Sequence, residues 1–182
     1  GLADFQLVSP IFRAWDLLQF RYEKLVGTSQ KLHIEYSHPY LFGSPLRVDG
    51  EFDLLKQDTI FLTRYSRIGT AYAFSPNLSV SVYYKGKTSS LISTDQYDSL
   101  RPPPVLDARD QTYGVGFLYE NLDYRFSPTK GVRVQADFGI GRKRIIDNPT
   151  LDDRIYNGLL MRLPKREAEI KIEYYRSLAK RL

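Results

Sequence analysis

Apolar and polar residues alternate one by one along much of this chain, most clearly in the segment 112–142. The segment predicts one β-hairpin whose arms each carry apolar residues on one face. These residues are Tyr113, Val115, Phe117 and Tyr119 on the first arm, and Val132, Val134, Ala136, Phe138 and Ile140 on the second. Successive side chains of a strand point to opposite sides, so a period of two predicts strands with one apolar and one polar face.

The same alternation recurs before and after this hairpin. Further candidate strands are 18–24, 31–37, 46–54, 59–74, 78–85, 154–163 and 167–177, the last two flanking a turn at 164–166. With the hairpin arms, the chain is predicted to form about nine strands. The polar positions of 46–54 are all charged, which is more than one face of a soluble sandwich strand normally carries.

Two segments without this alternation, 86–111 and 146–153, are predicted to be long polar loops. The first contains three consecutive prolines, which cannot donate ladder hydrogen bonds. Long loops alternating with short turns indicate an all-β fold, the antiparallel meander of a transmembrane β-barrel, with residues 1–182 as a single barrel segment. Aromatic residues near the predicted strand ends suit interfacial girdles: Tyr36, Tyr40, Phe42, Tyr72, Phe74, Tyr124 and Phe126.

Composition narrows the function classes. The net charge is 26 − 21 = +5, and the basic residues are mixed with acidic ones, so no nucleic-acid-binding stripe is predicted. There is no cysteine, which excludes disulfides and thiolate metal sites. No apolar run reaches the ~18 residues of a transmembrane helix, and the N-terminus lacks the features of a signal peptide.

No catalytic site is predicted, and the chain is not expected to be an enzyme or to hold a cofactor or metal. His33 lies on the polar face of a strand and His38 in a turn, neither with a clear carboxylate partner at metal-ligand spacing. Gly114 and Gly116 lie inside a strand, which argues against a phosphate loop. Asp152 and Asp153 are interpreted as solvated loop residues, with a calcium site as the minor alternative.

The turn between the hairpin arms carries Asp123, Arg125, Pro128 and Gly131. Pro128 presets the turn, and Gly131 can adopt a positive φ as the chain enters the next strand. Asp123 and Arg125 are close enough in sequence to order the turn through a charge-assisted hydrogen bond. On these residues alone, the segment predicts a well-formed hairpin turn.

This turn resembles the Asp-x-Arg-x-x-Pro-x-x-Gly turn of the BamA/TamA superfamily of outer-membrane barrels. An upstream segment with Pro39, Tyr40 and Gly43 is similar to the Pro-Tyr-Leu-Phe-Gly segment of the same family, and the order of the motifs also matches. The resemblance implies that Pro39, Tyr40, Gly43, Asp123, Arg125, Pro128 and Gly131 are structural family residues. Family barrels have about sixteen strands and an Arg-Gly-aromatic loop motif, so this chain is expected to be an internal piece of a longer protein.

The resemblance further implies an outer-membrane protein that inserts or translocates other outer-membrane proteins without covalent chemistry. Its expected partners are outer-membrane lipid, unfolded client proteins, and periplasmic or lipoprotein subunits, with no nucleic acid. Three alternatives remain open: a barrel that anchors a patatin-like lipid hydrolase, a passive outer-membrane pore, and a soluble lipid-binding barrel.

Overall fold

A computed structural model describes residues 1–9, 16–25, 27–57, 60–93, 103, 105–124 and 127–176. The described chain folds into one antiparallel sheet of nine strands in sequence order. The strands are β1 (Leu2–Ser9), β2 (Asp16–Lys24), β3 (Gln30–His38), β4 (Leu46–Gln57), β5 (Phe61–Ser75), β6 (Leu78–Leu91), β7 (Ala108–Leu122), β8 (Gly131–Ile145) and β9 (Arg162–Tyr175). Two short 3-10 helices, η1 (Leu41–Gly43) and η2 (Asp153–Tyr156), lie in the connections β3–β4 and β8–β9.

The all-β antiparallel meander predicted from alternation is confirmed, and so is the number of strands. The sheet is not closed, because β1 pairs only with β2, and β9 only with β8, among the described residues. None of the helices in the described ranges is long and apolar enough to cross a membrane.

Several strand positions differ from the prediction. The loop predicted at 86–111 is wrong at both ends, because β6 continues to Leu91 and β7 begins at Ala108. The side chains of these extensions are mostly polar, so no apolar alternation marks them in the sequence. Their pairing between β6 and β7 identifies them as strand. Of the second predicted loop, residues 146–152 lie outside strands and Asp153 begins η2.

The two strands predicted at 154–163 and 167–177 are in fact one strand, β9, preceded by η2. Pro164, interpreted as a turn residue, lies within β9 opposite Arg142 of β8. A proline is tolerated there because β9 is an edge strand of the described sheet. The nine strands are completed by β1, whose apolar residues fall on both of its faces and so hide the period of two.

The connections divide the sheet into two ends. The two longest, 92–107 and 146–161, lie at one end, which we call the loop edge, together with the short connections 25–29 and 58–60. Helix η1 and the turns at 76–77 and 123–130 lie at the opposite end, the turn edge. The prediction that long loops share one side therefore holds for both long connections.

Candidate functional site: the two faces of the sheet

The two faces of the sheet differ in chemistry because the strand registers align their alternation. One face, the apolar face, carries Ile68, Val82, Val115, Phe138 and Ile140 side by side. These side chains are exposed, Ile140 by 69% and Ile68 by 63%, and some of them line an open depression of about 1040 Å³. Only Ala71, Tyr83, Ala108 and Leu151 are buried apolar residues among those described. The sheet therefore has a large apolar surface that no second layer of the described structure covers.

Aromatic residues flank this surface at the turn edge. Five of the seven predicted girdle residues are exposed there: Tyr40, Phe42, Tyr72, Phe74 and Tyr124. Tyr36 is half-buried instead, and Phe126 lies outside the described residues. The rings of Tyr72 and Phe74 pack edge to face at a centroid distance of 4.9 Å.

A second aromatic pair, which the sequence prediction missed, borders the apolar face towards the loop edge. Tyr84 and Tyr113 are opposite each other on β6 and β7, with ring centroids 5.0 Å apart. Gln111 Nε2 donates to the Tyr84 hydroxyl at 3.1 Å. Gln111 is two residues nearer the loop edge than Tyr113, so the Tyr84 hydroxyl points towards the loop edge.

The opposite face, the polar face, contains all the ion pairs observed among the described residues except the buried pair of Asp16 and His38, which lies on the side of the apolar face. Near the loop edge, Lys165 Nζ lies 3.0 Å from Asp110 Oδ2 and 3.1 Å from Glu167 Oε2, and Lys85 Nζ lies 3.0 Å from Glu167 Oε1. Lys85 and Glu167 belong to β6 and β9, so this ion pair spans the two strands between them. The polar face is therefore cross-linked between strands that are not neighbours.

Near the turn edge, a second group of charges on the polar face joins three strands. Arg133 of β8 pairs with Glu120 of β7 at 2.8 Å and approaches Glu173 of β9 at 3.7 Å. Glu173 also accepts from Lys171 at 2.8 Å. These side chains are one-sixth to three-fifths exposed, so solvent weakens each ion pair. The alignment of the charged groups across three strands is therefore more informative than the energy of any single pair.

Paired glycines on the polar face leave space that the side chains of Tyr83 and Glu167 occupy. Gly114 and Gly139 are opposite each other on β7 and β8, and the Tyr83 ring lies over Gly114. A Cβ at Gly114 would come within 2.2 Å of Tyr83 Cζ, and one at Gly139 within 2.8 Å of Glu167 Cγ. Lys85 Nζ sits 4.6 Å from the Tyr83 ring centroid. The glycines thus form a trough in which an aromatic ring and an ion pair cross the sheet.

Both histidines have carboxylate partners in the fold, which the sequence spacing did not indicate. His33 Nδ1 lies 2.8 Å from Asp53 Oδ1 on the polar face, and one ligand atom each of His33, Glu51 and Asp53 lies within 4.8 Å of the others. This is the one grouping of metal-ligand type found in the described part of the chain. His38 is not in a turn but ends β3, where it pairs with buried Asp16 on β2. Both partners lie at least twenty residues away, beyond the reach of sequence spacing.

The turn that carries the family resemblance is organised by Asp123. Its Oδ1 accepts from the backbone N–H groups of Thr129 at 2.9 Å and Lys130 at 3.0 Å. Hydrogen bonds from the Thr129 hydroxyl and these N–H groups lower the pKa of Asp123 from 3.8 to about 2. Gly131 has φ +133°, and a Cβ there would lie 2.1 Å from the Asn121 carbonyl oxygen. The predicted partner Arg125 lies outside the described residues.

The upstream motif forms the connection around η1. Tyr40, Phe42 and Gly43 have φ values of 58°, 55° and 73°, so the chain turns through the left-handed region three times in four residues. Gly43 N–H donates to the Tyr40 carbonyl at 2.9 Å, and the Ser44 hydroxyl donates to the Leu41 carbonyl at 2.7 Å. Tyr40 and Gly43 therefore shape a turn, directly after Pro39, that displays Phe42, which is 95% exposed.

The acidic pair in the second long connection has a local structural role. The Asp152 carboxylate caps η2 by accepting from the Arg154 N–H at 2.9 Å, and Asp153 occupies the first turn. Nearby, burial raises the pKa of the Tyr156 hydroxyl, which accepts from the Asn148 N–H at 3.0 Å. The connection is thus internally ordered by its own side chains.

Comparison with known proteins gives no relative from which function could be transferred. No family model matches the chain, and neither a curated protein nor a solved structure is significantly similar to it.

Proposed function

We propose that this chain forms part of the wall of a transmembrane β-barrel in the outer membrane of a Gram-negative type cell envelope. The observation that carries the proposal is the division of charge between the two faces. Every acidic residue in the described strands lies on the polar face except Asp16, which is almost fully buried beside His38. The apolar face instead exposes Ile68, Phe138 and Ile140 to the surroundings. Contiguous apolar surface of this extent is rare on water-soluble proteins and suits hydrocarbon.

The height of the apolar face supports a membrane setting. On β8 the apolar positions run from Val132 to Ile140, which is about 27 Å along an extended strand. A tilt of about 40° reduces this to about 21 Å along the membrane normal, close to the ~25 Å apolar band of barrel proteins. The aromatics at the turn edge and the Tyr84–Tyr113 pair lie at its two borders, where membrane interfaces favour them.

The polar face would then form lumen wall. Water in the lumen solvates the exposed part of each ion pair, so the Lys85–Glu167 and Arg133–Glu120 pairs need not bear the full cost of desolvation. The glycine trough brings side chains from β6 and β9 close to the inner wall.

Within this setting, we propose assembly or translocation of other outer-membrane proteins as the activity. The support is the pair of turn motifs around η1 and Asp123. Such an activity needs no covalent step, because a client strand can add to an exposed strand edge by backbone hydrogen bonding. The wall described would supply lumen surface, with lipid, unfolded clients and periplasmic or lipoprotein subunits as partners. The second candidate is a passive pore, favoured by the charged polar face.

The membrane location is tested by purification with and without detergent. We expect the chain to precipitate in plain buffer and to become monodisperse in detergent micelles, with a β-rich circular dichroism spectrum. A monodisperse, folded species in plain buffer would remove the basis of the proposal.

The activity is tested in cells by depleting the protein and measuring other outer-membrane proteins. An assembly or translocation role predicts that their abundance falls, whereas a passive pore leaves it unchanged. Steady ion conductance in planar bilayers, together with normal levels of other barrels, would favour the pore.

A further inference from the structure

Strand register brings arginines from four strands together on the apolar face near the loop edge. Arg64 of β5, Arg109 of β7, Arg144 of β8 and Arg162 of β9 occupy one row across the sheet, with Thr88 of β6 between the first two. Arg142 and Arg166 lie on the same face, closer to the apolar residues. We call these six residues the basic belt: Arg64, Arg109, Arg142, Arg144, Arg162 and Arg166.

No acidic residue of the described strands shares the apolar face with the basic belt near the loop edge. All six arginines are exposed, and none forms an ion pair with a described residue. Lys24 and Lys56 add further positive charge to the same face and edge, whereas the acidic residues of the strands near this edge, such as Asp110, lie on the polar face. Near the loop edge, the charged strand positions of the apolar face are thus all basic.

Repulsion between the arginines of this row destabilises the sheet unless an anion lies near them. Arg109 is directly opposite Arg144, and Arg144 is directly opposite Arg162, so three guanidinium groups occupy adjacent strands. Like charges directly opposite each other destabilise a sheet, and a planar guanidinium binds phosphate oxygens in a bidentate manner. The arrangement therefore fits a surface that presents several phosphates.

The depth of the basic belt identifies where those phosphates would be. Arg142 and Arg144 lie two and four residues beyond Ile140, the last apolar position of β8. At a tilt of ~40°, they stand about 5 and 10 Å above the apolar border along the membrane normal. The headgroup region of one leaflet extends about 5–7 Å beyond the hydrocarbon, and an arginine side chain can reach back several ångströms.

We propose that the basic belt binds the phosphate groups of anionic lipid headgroups in the leaflet at the loop edge. The proposal rests on the membrane location proposed above and adds a lipid class to it. Arg166 lies in the same row as the Tyr84–Tyr113 pair, opposite Ile140, and the other five arginines of the belt sit beyond that pair. Apolar, aromatic and phosphate-binding rows therefore follow one another as the layers of a leaflet do. A preference for anionic lipid would also orient the sheet in the membrane. The basic residues on the apolar face of the described strands lie only near the loop edge, which would therefore face the leaflet with the anionic headgroups.

The test uses the full chain reconstituted in vesicles of phosphatidylcholine with and without phosphatidylglycerol, and measures which spin-labelled lipid is immobilised at the protein surface. We expect the wild-type chain to select phosphatidylglycerol. The triple variant Arg109→Gln, Arg144→Gln and Arg162→Gln should lose about fivefold of that selectivity for each arginine removed. The corresponding triple lysine variant should keep most of it, because the positive charge remains.

A matched control removes three exposed lysines from the polar face: Lys31, Lys87 and Lys143, each replaced by Gln. This variant loses the same charge, so it should select phosphatidylglycerol as the wild type does. Equal loss in both triple variants would attribute the effect to net charge and overturn the basic belt as the site.

The remaining outcomes separate this proposal from the membrane proposal. If the wild type inserts into both vesicle types without lipid preference, the membrane location stands and the basic belt proposal fails. If the chain associates with neither, both fail. Displacement of the lipid from the protein by millimolar inorganic phosphate would indicate a site for free phosphate. Binding of duplex DNA by the wild-type protein in neutral detergent, but not by the triple Gln variant, would indicate a nucleic-acid-binding surface. Either result would overturn lipid as the partner.

Discussion

Replacing Gly114 with alanine should push the Tyr83 ring out of the glycine trough. An added Cβ would lie 2.2 Å from Cζ, 2.4 Å from the hydroxyl oxygen and 2.5 Å from Cε2 of Tyr83. Tyr83 is 5% exposed, and Lys85 sits over its ring, so the ring has little free space in which to yield. Gly114→Ala must therefore displace the ring or move β7 away from β6.

The expected change in unfolding free energy combines two destabilising contributions and one stabilising contribution. Overpacking of a filled site costs about 1–3 kcal/mol, and loss of the cation–π contact adds about 0.5–1 kcal/mol. Alanine is otherwise better than glycine in a strand interior by about 0.5–1 kcal/mol. The net expected destabilisation is about 1–3 kcal/mol. At Gly50 of β4 a Cβ meets nothing within 4 Å, so Gly50→Ala should be neutral or stabilising.

The assay is equilibrium unfolding in urea in detergent micelles, followed by circular dichroism, for a double-mutant cycle. The cycle compares Gly114→Ala, Tyr83→Ala and the double variant. Because Tyr83→Ala empties the trough, Gly114→Ala should cost at least about 1 kcal/mol less in that background than in the wild type. Equal costs in the two backgrounds, or equal effects at Gly114 and Gly50, would refute the steric account of the trough.

Three further predictions concern single positions. Asp123 has a folded-state pKa of about 2, below its usual 3.8, so its stabilising effect is complete above pH 3.8 and is lost as pH falls towards 2. An NMR titration of its carboxyl carbon should have its midpoint near pH 2. Gly131→Ala should destabilise the β7–β8 hairpin by more than about 1 kcal/mol in urea unfolding, because its φ is +133° and the Cβ meets backbone. Lys85→Met should cost about 1–2 kcal/mol in the same assay, because Glu167 loses its cross-sheet partner, whereas Lys171→Met, at a more exposed pair, should cost less.

Each of these predictions has a contradicting result. A midpoint near 3.8 for Asp123 would mean that its N–H and hydroxyl donors do not order the turn in solution. Gly27 also has a positive φ, of 72°, but nothing lies near its added Cβ. If alanine destabilised the protein equally at Gly27 and Gly131, the backbone clash would be excluded as the cause of the effect at Gly131. Equal costs at Lys85 and Lys171 would remove the special role of the cross-sheet pair.

The sequence was sufficient for strands whose apolar side chains keep to one face. β2, β4, β7 and β8 were located from alternation, because each presents apolar residues at every second position. β1 was missed because Leu2 and Phe5 lie on opposite faces, and the far end of β6 was missed because Thr88 and Ser89 carry no apolar signal. In both places long-range pairing, rather than local pattern, makes the strand.

The candidate site was predictable only where it is local in sequence. The turn from Asp123 to Gly131 was found from its spacing, and its carboxylate does organise it, through Thr129 and Lys130. The sequence does not predict the basic belt, because Arg64 and Arg162 come into one row only through the register of five strands. Pairing register is a tertiary property that alternation leaves undetermined.

The ion pair between Lys85 and Glu167 has a mechanical consequence for the order in which strands can be peeled from the sheet. Pulling β9 away requires breaking its ladder with β8 and, in addition, its links to Asp110 of β7 and Lys85 of β6. Pulling β1 away breaks a shorter ladder and, among the described side chains, the exposed Arg21–Asp4 pair. The two borders of the sheet should thus differ in resistance to unzipping, with β1 yielding singly and β9 holding until several strands loosen together.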